Sequence, residues 1–222
     1  VEIYEGQVHS SYPFAPQSPK PCMFEHVYVA RPDSVLFGKG VYDTRVELGR
    51  ALARLHPKDV DVVVPVPDSG VPAALGYAQA SGVPYALGLL RSHYVGRTFI
   101  QPTQTGRDSG VSLKLHVIES VIRGKRLVVI DDSIVRGTTA RRLVQRLRSA
   151  GAKEVHLLST SPPMIGPCHY GMDTPSTKEL LACTHTHEQM VHELGVDSLG
   201  FLPLETTRSV LGPNHCDACF SG

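Results

Sequence analysis

The stretch Arg126-Leu127-Val128-Val129-Ile130-Asp131-Asp132-Ser133-Ile134-Val135-Arg136-Gly137-Thr138-Thr139 decides the fold. Leu127 to Ile130 form a short apolar run typical of a central parallel strand, and downstream Leu143, Val144 and Leu147 recur at helix spacing. Thr138 and Thr139 therefore stand at a helix N-terminus. Free backbone N–H groups and the positive end of the helix dipole attract phosphate there, and Gly137 lets the backbone approach it closely. Asp131 and Asp132, at the carboxyl end of the strand, can accept hydrogen bonds from vicinal ribose hydroxyls or hold a hard cation. An isolated Asp-Asp pair would read as a turn before a helix cap. The whole string suits a sugar phosphate.

Outward from this stretch the pattern repeats. Val60 to Val66 is a compact apolar strand that runs into Pro67-Asp68-Ser69-Gly70 and then a helix built on Ala73, Ala74, Leu75 and Tyr77. Ser69 and Gly70 offer a hydroxyl and a flexible backbone for a second anion such as pyrophosphate, although a Gly-containing turn at a strand end is common in α/β folds. Pro84 to Leu90 and Val155 to Ser159 read as further strands. Leu180, Leu181, Met190, Val191 and Leu194 mark one or two later helices. Cys22 to Ala30 reads as an entry strand, followed by a helix capped by Asp43 or Thr44 and built on Val46, Leu48, Leu52 and Leu55. Residues 1 to 21 read as an extended lead-in, and 22 to 222 as the folded domain. Arg91 to Leu115, rich in Gly, Thr, Gln and Arg, reads as a flexible lid loop. Strands alternating with helices predict an α/β fold, a mainly parallel sheet with helices on both faces. Ligands bind beyond the strand carboxyl ends in such sheets, so both polar turns should meet.

Bulk composition narrows the functional classes. A chain of 222 residues, 41% hydrophobic and 19% charged, is long enough for one α/β domain with a substantial core. Its 22 Lys and Arg against 21 acidic residues argue against a broad surface for nucleic acid or membrane, so any anion site must be local. No apolar run approaches the roughly 20 residues that span a bilayer, and a cytoplasmic location is the expectation. Because residue 1 is Val1 rather than an initiator methionine, a fragment or processed product is expected. Five dispersed cysteines do not form a disulfide scaffold pattern, and metal ligation is the stronger alternative. Cys216 and Cys219 are spaced to reach one metal, and Cys22 and Cys168, beside Pro21 and Pro167, could complete a closed four-thiolate site. Cys183 fits a helical core position, and His185 and His187 read as solvated or capping residues at a helix start.

Val128 to Thr139 resembles the phosphoribosyl pyrophosphate motif of type I phosphoribosyltransferases, and its wording is similar to that of the glutamine phosphoribosylpyrophosphate amidotransferases. The resemblance runs from Cys22 to Phe220 and implies the type I phosphoribosyltransferase fold. It assigns substrate contacts to Asp68, Ser69, Gly70, Asp131, Asp132, Ser133, Val135, Arg136, Gly137, Thr138 and Thr139, and a Mg²⁺ site to Ser69, Asp131 and Asp132. Tyr94 to Pro102 looks like the family's flexible catalytic loop, which implies that Arg97 acts in catalysis with Asp131 and Asp132. Lys114 and Arg107 could bring further charge to a leaving diphosphate. Ser92, His93, Ser112 and His116 depart from the family's usual residues, which bears on lid details and acceptor handling. The contexts of Cys22, Cys168, Cys216 and Cys219 resemble those that hold a [4Fe-4S] cluster in iron–sulfur members, with zinc as the alternative for a four-thiolate set.

The activity implied is an amidophosphoribosyltransferase step of purine synthesis: ammonia displaces pyrophosphate from phosphoribosyl pyrophosphate and gives 5-phosphoribosylamine. The resemblance also implies a glutaminase domain or subunit supplied elsewhere, purine nucleotides as inhibitors, a homo-oligomer, and ammonia-dependent transfer by this chain alone. A nucleobase phosphoribosyltransferase and a non-catalytic sensor of phosphoribosyl pyrophosphate or nucleotides are the rival readings.

Overall fold

The structure, a computed structural model, describes residues 1–91, 115–172, 174 and 176–222. The chain opens with strands β1 (Glu2–Tyr4) and β2 (Gln7–His9), an exposed antiparallel hairpin. A π-helical turn, Glu25–Val29, leads to the small hairpin β3 (Val35–Leu36) and β4 (Lys39–Gly40), then to helix α1 (Val41–Leu55). Next come β5 (Val62–Pro65), α2 (Val71–Ser81), β6 (Leu89–Arg91), β7 (Leu115–Val117) and α3 (Glu119–Ile122). The second half holds β8 (Arg126–Asp131), α4 (Thr138–Ser149), β9 (Glu154–Ser159), α5 (Leu181–Thr184), α6 (His187–Leu194), β10 (Ser198–Phe201), α7 (Leu204–Leu211) and α8 (Ala218–Ser221).

Four strands form a parallel sheet in the order β10-β9-β8-β5. Period-2 alternation along each strand divides its side chains between two cores. Val128 and Ile130 of β8, Val63 of β5 and Leu158 of β9 pack with Leu48, Leu52, Ala74 and Tyr77 of α1 and α2. Leu127 and Val129, with Val62, Val64, Val155 and Leu157, turn the other way onto Leu143, Val144 and Leu147 of α4 and Met190 and Leu194 of α6. Leu127, Val128, Val129 and Ile130 are all fully buried, and each such side chain stabilises the fold by roughly 1.5–3 kcal/mol. Helices thus cover both faces, as the alternation predicts.

The sheet's carboxyl edge is in register where it matters for a ligand. Pro65 lies beside Ile130, which lies beside Leu158, so the turns after β5 and β8 leave the sheet at the same level. The α1–α2 pair that supports the first of these turns packs backbone to backbone. A Cβ on Gly76 would stand 2.0 Å from the carbonyl oxygen of Val46, and one on Gly49 would stand 1.9 Å from that of Ala73.

Several local expectations are corrected. Cys22 to Ala30 is not a strand: Cys22 makes one parallel bridge to Cys216, after which the chain winds into the π-helical turn. Helix α1 starts at Val41 with Gly40 as its N-cap, and the hydroxyl of Thr44 donates back to the Gly40 carbonyl at 2.7 Å from inside the helix. The Pro84–Leu90 strand reduces to a Val63–Tyr85 bridge and β6. Strands β1, β2 and β10 and helix α7 were not anticipated from the residue pattern. The lid expected at Arg91 to Leu115 lies outside the described residues except at its two ends, which pair as β6 and β7. Among the described residues, no helix is long and apolar enough to cross a membrane.

Candidate active site

The acid turn is held by the strand beside it. Thr160 donates its N–H to the Asp131 carbonyl at 3.0 Å and Ser161 donates to that of Asp132 at 2.9 Å, which extends the β8–β9 ladder past the last strand residue. The Ser159 hydroxyl, fully buried, adds a donation to the Asp132 carbonyl at 3.2 Å. With its backbone fixed, the turn presents its carboxylates in a defined way. The Asp131 carboxylate accepts the Asp132 N–H at 2.9 Å, and the Asp132 carboxylate accepts the Ser133 hydroxyl at 2.7 Å.

Two buried like charges side by side are costly. Burial first, then the charge of Asp132, holds the Asp131 carboxyl well above the usual carboxylate range. Asp132 is also raised by burial, but the hydroxyls of Ser69 and Ser133 and the Arg45 guanidinium pull it back. The pair gathers oxygen donors at the end of β8, with Asp132 buried and Asp131 partly exposed.

The Pro67-Asp68-Ser69-Gly70 turn meets it. The Ser69 side chain lies close enough to Asp132 to lower its pKa, so the hydroxyl after β5 and the carboxylate after β8 meet across the seam between adjacent strands. Gly70 makes this approach possible: a Cβ there would lie 2.5 Å from the Ile130 carbonyl oxygen and 2.8 Å from that of Val66. Asp68 is exposed and accepts a 2.8 Å ion pair from Arg91, at the end of β6.

Helix α4 supplies the third component. Its N-cap, Gly137, has φ +75°, a left-handed conformation suited to glycine, and no side chain caps the first turn. The free N–H groups of this turn are thus available to an anion. A Cβ on Gly137 would also press to 2.9 Å from Leu181, which α5 packs beneath the turn. A cleft of about 830 Å³ joins Asp131, Asp132 and the Ser133–Thr139 turn, with Tyr28 and Phe24 on one side and Arg142 and Arg146 on the outer face of α4. Arg136 lines the cleft and pairs with Glu179 at 3.1 Å, while Val135 accepts the Leu181 N–H through its carbonyl.

Cys22, Cys168, Cys216 and Cys219 come together in a second, small pocket, separated from the cleft by Phe24, Met164 and Met172, which line both. The backbone ties these segments to one another: Met23 donates to the Cys216 carbonyl at 3.0 Å, Cys216 to that of Pro21 at 2.8 Å, and Ile165 to that of Cys219 at 2.9 Å. Burial, reinforced by the charges of Cys22, Cys168 and Cys216, pushes the Cys219 thiol up to about 12. Cys168 moves the other way because backbone N–H groups of Tyr170 and Met172 point at its sulfur. Among the described residues, no three His, Cys, Asp or Glu side chains stand close enough to hold a single ion. The four thiols lining one pocket form a donor set of the kind that holds an iron–sulfur cluster or zinc.

A sequence profile described as the phosphoribosyl transferase domain matches residues 46–165, more than half of the chain. The chain belongs to the phosphoribosyl transferase domain family. Among curated relatives, the amidophosphoribosyltransferase of Vigna aconitifolia, named as chloroplastic, is 54% identical over 93% of this chain and 43% of its own length. That of Synechococcus elongatus is 52% identical over 94% and 43%. Among solved structures, the glutamine phosphoribosylpyrophosphate amidotransferase of B. subtilis complexed with ADP and GMP superposes with a TM-score of 0.83 at 48% identity, over 91% of this chain and 46% of that one. The chain therefore spans less than half the length of the amidophosphoribosyltransferases it matches, and the fold is that of their phosphoribosyltransferase domain, the type I fold.

Of the residues singled out from the sequence, those of the β5 and β8 turns converge as described. Arg97, Arg107, Lys114, Ser92, His93 and Ser112 lie outside the described residues. His116 is exposed on β7, opposite Leu90. Cys183 is exposed rather than a core residue, its thiol donating to the Ile165 carbonyl at 3.2 Å. Neither His185 nor His187 caps α6: Thr186 does, in a reciprocal capping box with Gln189. Sequence reasoning missed the buried Ser159-Thr160-Ser161 support, whose signal was a polar run directly after an apolar strand. It also missed Arg45, which carries no motif of its own.

Proposed function

We propose that this chain carries the phosphoribosyl-transfer step of an amidophosphoribosyltransferase, in which ammonia attacks carbon 1 of phosphoribosyl pyrophosphate. The nitrogen–carbon bond forms as the carbon–oxygen bond to the diphosphate breaks; pyrophosphate leaves with the electron pair and the nitrogen gives up a proton to solvent. The reading is carried by one observation, the convergence of the in-register turns after β5 and β8 beside the uncapped first turn of α4. It is supported by about 50% identity to the amidophosphoribosyltransferases.

Each part has a task in this scheme. The amide groups of Thr138 and Thr139 take the 5-phosphate, with Gly137 permitting close approach and Val135 and Arg136 bordering it. Asp131 and Asp132 accept hydrogen bonds from the ribose hydroxyls and hold the ring while positive charge develops at carbon 1. Asp68, Ser69 and Gly70 receive the diphosphate. Ser69, Asp131 and Asp132 fit a hard cation that keeps waters and substrate oxygens as its remaining ligands, and Mg²⁺ bound there would neutralise the departing diphosphate. Arg97 and Lys114, in the segment that resembles the family's catalytic loop, would add positive charge beside the departing diphosphate.

The four cysteines are proposed to hold a [4Fe-4S] cluster as a structural tie, supported by their common pocket, with zinc as the alternative occupant. Glutamine use is proposed to need a glutaminase domain or subunit supplied elsewhere. Purine nucleotides are proposed as inhibitors because the B. subtilis structure is complexed with ADP and GMP. A homo-oligomer and a cytoplasmic setting complete the reading.

The test is pyrophosphate release from phosphoribosyl pyrophosphate with Mg²⁺ and ammonium. Release without any nucleobase is expected. Release only with a base points to a nucleobase transferase, and binding without release points to a sensor; either contradicts the proposal.

A further inference from the structure

The Val135-Arg136-Gly137 turn is backed by a segment that lies well downstream in the chain. Leu181 donates its N–H to the Val135 carbonyl at 2.9 Å, and its side chain packs beneath Gly137, where a Cβ would come within 2.9 Å of it. Just before Leu181, the 3₁₀ turn Thr177–Glu179 brings the Glu179 carboxylate beside Arg136. Oε2 of Glu179 accepts from the Arg136 Nε at 3.1 Å and Oε1 accepts from the Ser176 hydroxyl at 3.3 Å, so the carboxylate is itself held at both oxygens. Arg136 lines the cleft next to the uncapped first turn of α4. Among the described residues its two Nη nitrogens donate to no partner, which leaves the open side of the guanidinium fork to a ligand.

We propose that Glu179 is a positioning residue for the 5-phosphate: by occupying Nε it sets the plane of the Arg136 guanidinium and directs the paired Nη groups to a phosphate held on the Thr138 and Thr139 amides. Arginine grips phosphate best through two parallel N–H groups, and a long side chain presents them in one direction only when something fixes its plane. The pair is a poor brace for the fold. Arg136 is 51% and Glu179 54% exposed, and ion pairs so exposed contribute little stability. The turn is fixed instead by the Val135–Leu181 hydrogen bond and the packing beneath Gly137. Charge alone argues the other way, since a carboxylate near an anion site repels the anion, so positioning and plain electrostatics predict effects of opposite sign. This inference rests on the phosphoribosyl-transfer reading and names the end of that substrate which the pair serves.

The experiment measures calorimetric affinity for ribose 5-phosphate, for pyrophosphate with Mg²⁺ and for phosphoribosyl pyrophosphate with Mg²⁺. The proteins are wild type, Glu179→Ala, Glu179→Gln, Arg136→Ala and the double variant Arg136→Ala with Glu179→Ala, each with its thermal midpoint. Glu179→Ala is expected to weaken ribose 5-phosphate and phosphoribosyl pyrophosphate about fivefold, to leave pyrophosphate within about twofold, and to leave the midpoint nearly unchanged. Glu179→Gln keeps an acceptor oxygen at the same reach and is expected to stay within about twofold of wild type for all three. Arg136→Ala should weaken the same two ligands, and adding Glu179→Ala should have no further effect, because the carboxylate acts through the guanidinium. Tighter binding in both Glu179 variants would mean that the carboxylate only repels the anion, and would overturn the proposal. So would equal losses for all three ligands, additive losses in the double variant, or a lowered midpoint with ribose 5-phosphate affinity unchanged. Wild-type binding of these ligands without pyrophosphate release would contradict the transfer reading and leave this comparison standing, whereas wild-type failure to bind ribose 5-phosphate and phosphoribosyl pyrophosphate would overturn both.

Discussion

The Ser69 hydroxyl and the Asp132 carboxylate lie near enough for one to act on the other, although the two are far apart in the chain. They meet because β5 and β8 are parallel neighbours in register, Pro65 beside Ile130, and because Gly70 has no side chain to hold the α2 turn away from the Ile130 carbonyl. One strand pair thus delivers a hydroxyl and two carboxylates to the same point, with the open end of α4 next to them.

Replacing one acid should trade activity for stability. Asp131 is raised because burial and the charge of Asp132 disfavour its ionised form, so the folded state binds its proton more tightly than the unfolded chain does. The resulting penalty develops as pH rises through the unfolded value near ~3.9 and is complete above the higher folded value. Asp131→Asn is expected to stabilise the protein at neutral pH by about 1–2 kcal/mol, to lose that advantage in acid, and to lower kcat/KM about 100-fold or more. Urea unfolding at several pH values and a pyrophosphate-release assay check both halves.

Asp197 should behave in the opposite sense. Its partial burial would raise its pKa, but the Val155 N–H at 2.6 Å and the Arg148 guanidinium at 2.5 Å outweigh that and hold it below the usual carboxylate range. Stability from such a depressed group is present above the unfolded pKa and is lost as pH falls through the folded one. Because both partners are about a third exposed, the loss in Asp197→Asn is expected to be only about 1 kcal/mol at pH 7, converging with wild type in strong acid. An undiminished difference in acid would show that charge is not the cause.

Glycine substitutions should separate crowding from conformation. Gly76→Ala puts a methyl 2.0 Å from the Val46 carbonyl oxygen and forces α1 and α2 apart, with an expected cost of about 2–4 kcal/mol. Gly82→Ala, at a left-handed helix end with φ +73° and open space around it, is expected to cost only about 1–2 kcal/mol. Chemical denaturation midpoints that rank the two in the reverse order would contradict the packing described for α1 and α2.

The cysteines divide four against one. Cys219→Ala is expected to abolish iron binding and visible absorption in an anaerobic preparation and to lower the thermal midpoint, since the segments around Cys22, Cys168 and Cys216 lose their common tie. Cys183→Ala, whose thiol points to the Ile165 carbonyl, is expected to leave iron content unchanged. Iron loss in the second variant but not the first would reverse the assignment.

The parallel sheet and its two turns were legible because the cores of β5 and β8 are continuous apolar runs, β9 is largely apolar, and polar turn residues follow within a few positions, and burial on both faces demands such runs. Strand β10 was not legible. It has four residues, and Gly200 within it is required by the space left against Leu158 and His56, where a Cβ would meet Leu158 at 2.6 Å. The Glu25–Val29 turn reads locally as a strand because Val27, Tyr28 and Val29 favour extended backbone. Its winding comes from contacts distant in sequence, the Cys22–Cys216 bridge on one side and Arg45 on the other. The same distance explains why Arg45 escaped notice while Asp131 and Asp132 did not: the acids sit in one short string, and the guanidinium meets the His26 and Ala30 carbonyls only through the fold.

The central claim is that the β5 and β8 turns form one sugar-phosphate site. Calorimetric titration of phosphoribosyl pyrophosphate with Mg²⁺ into wild type, Ser69→Ala and Asp132→Asn tests it most directly. One binding event is expected in wild type, weakened about tenfold by the serine change and more by the acid change, with the double variant no worse than the acid change alone because the two act as a unit. Independent, additive losses, or binding unaffected by Ser69→Ala, would mean that the turns serve separate purposes and would contradict the account.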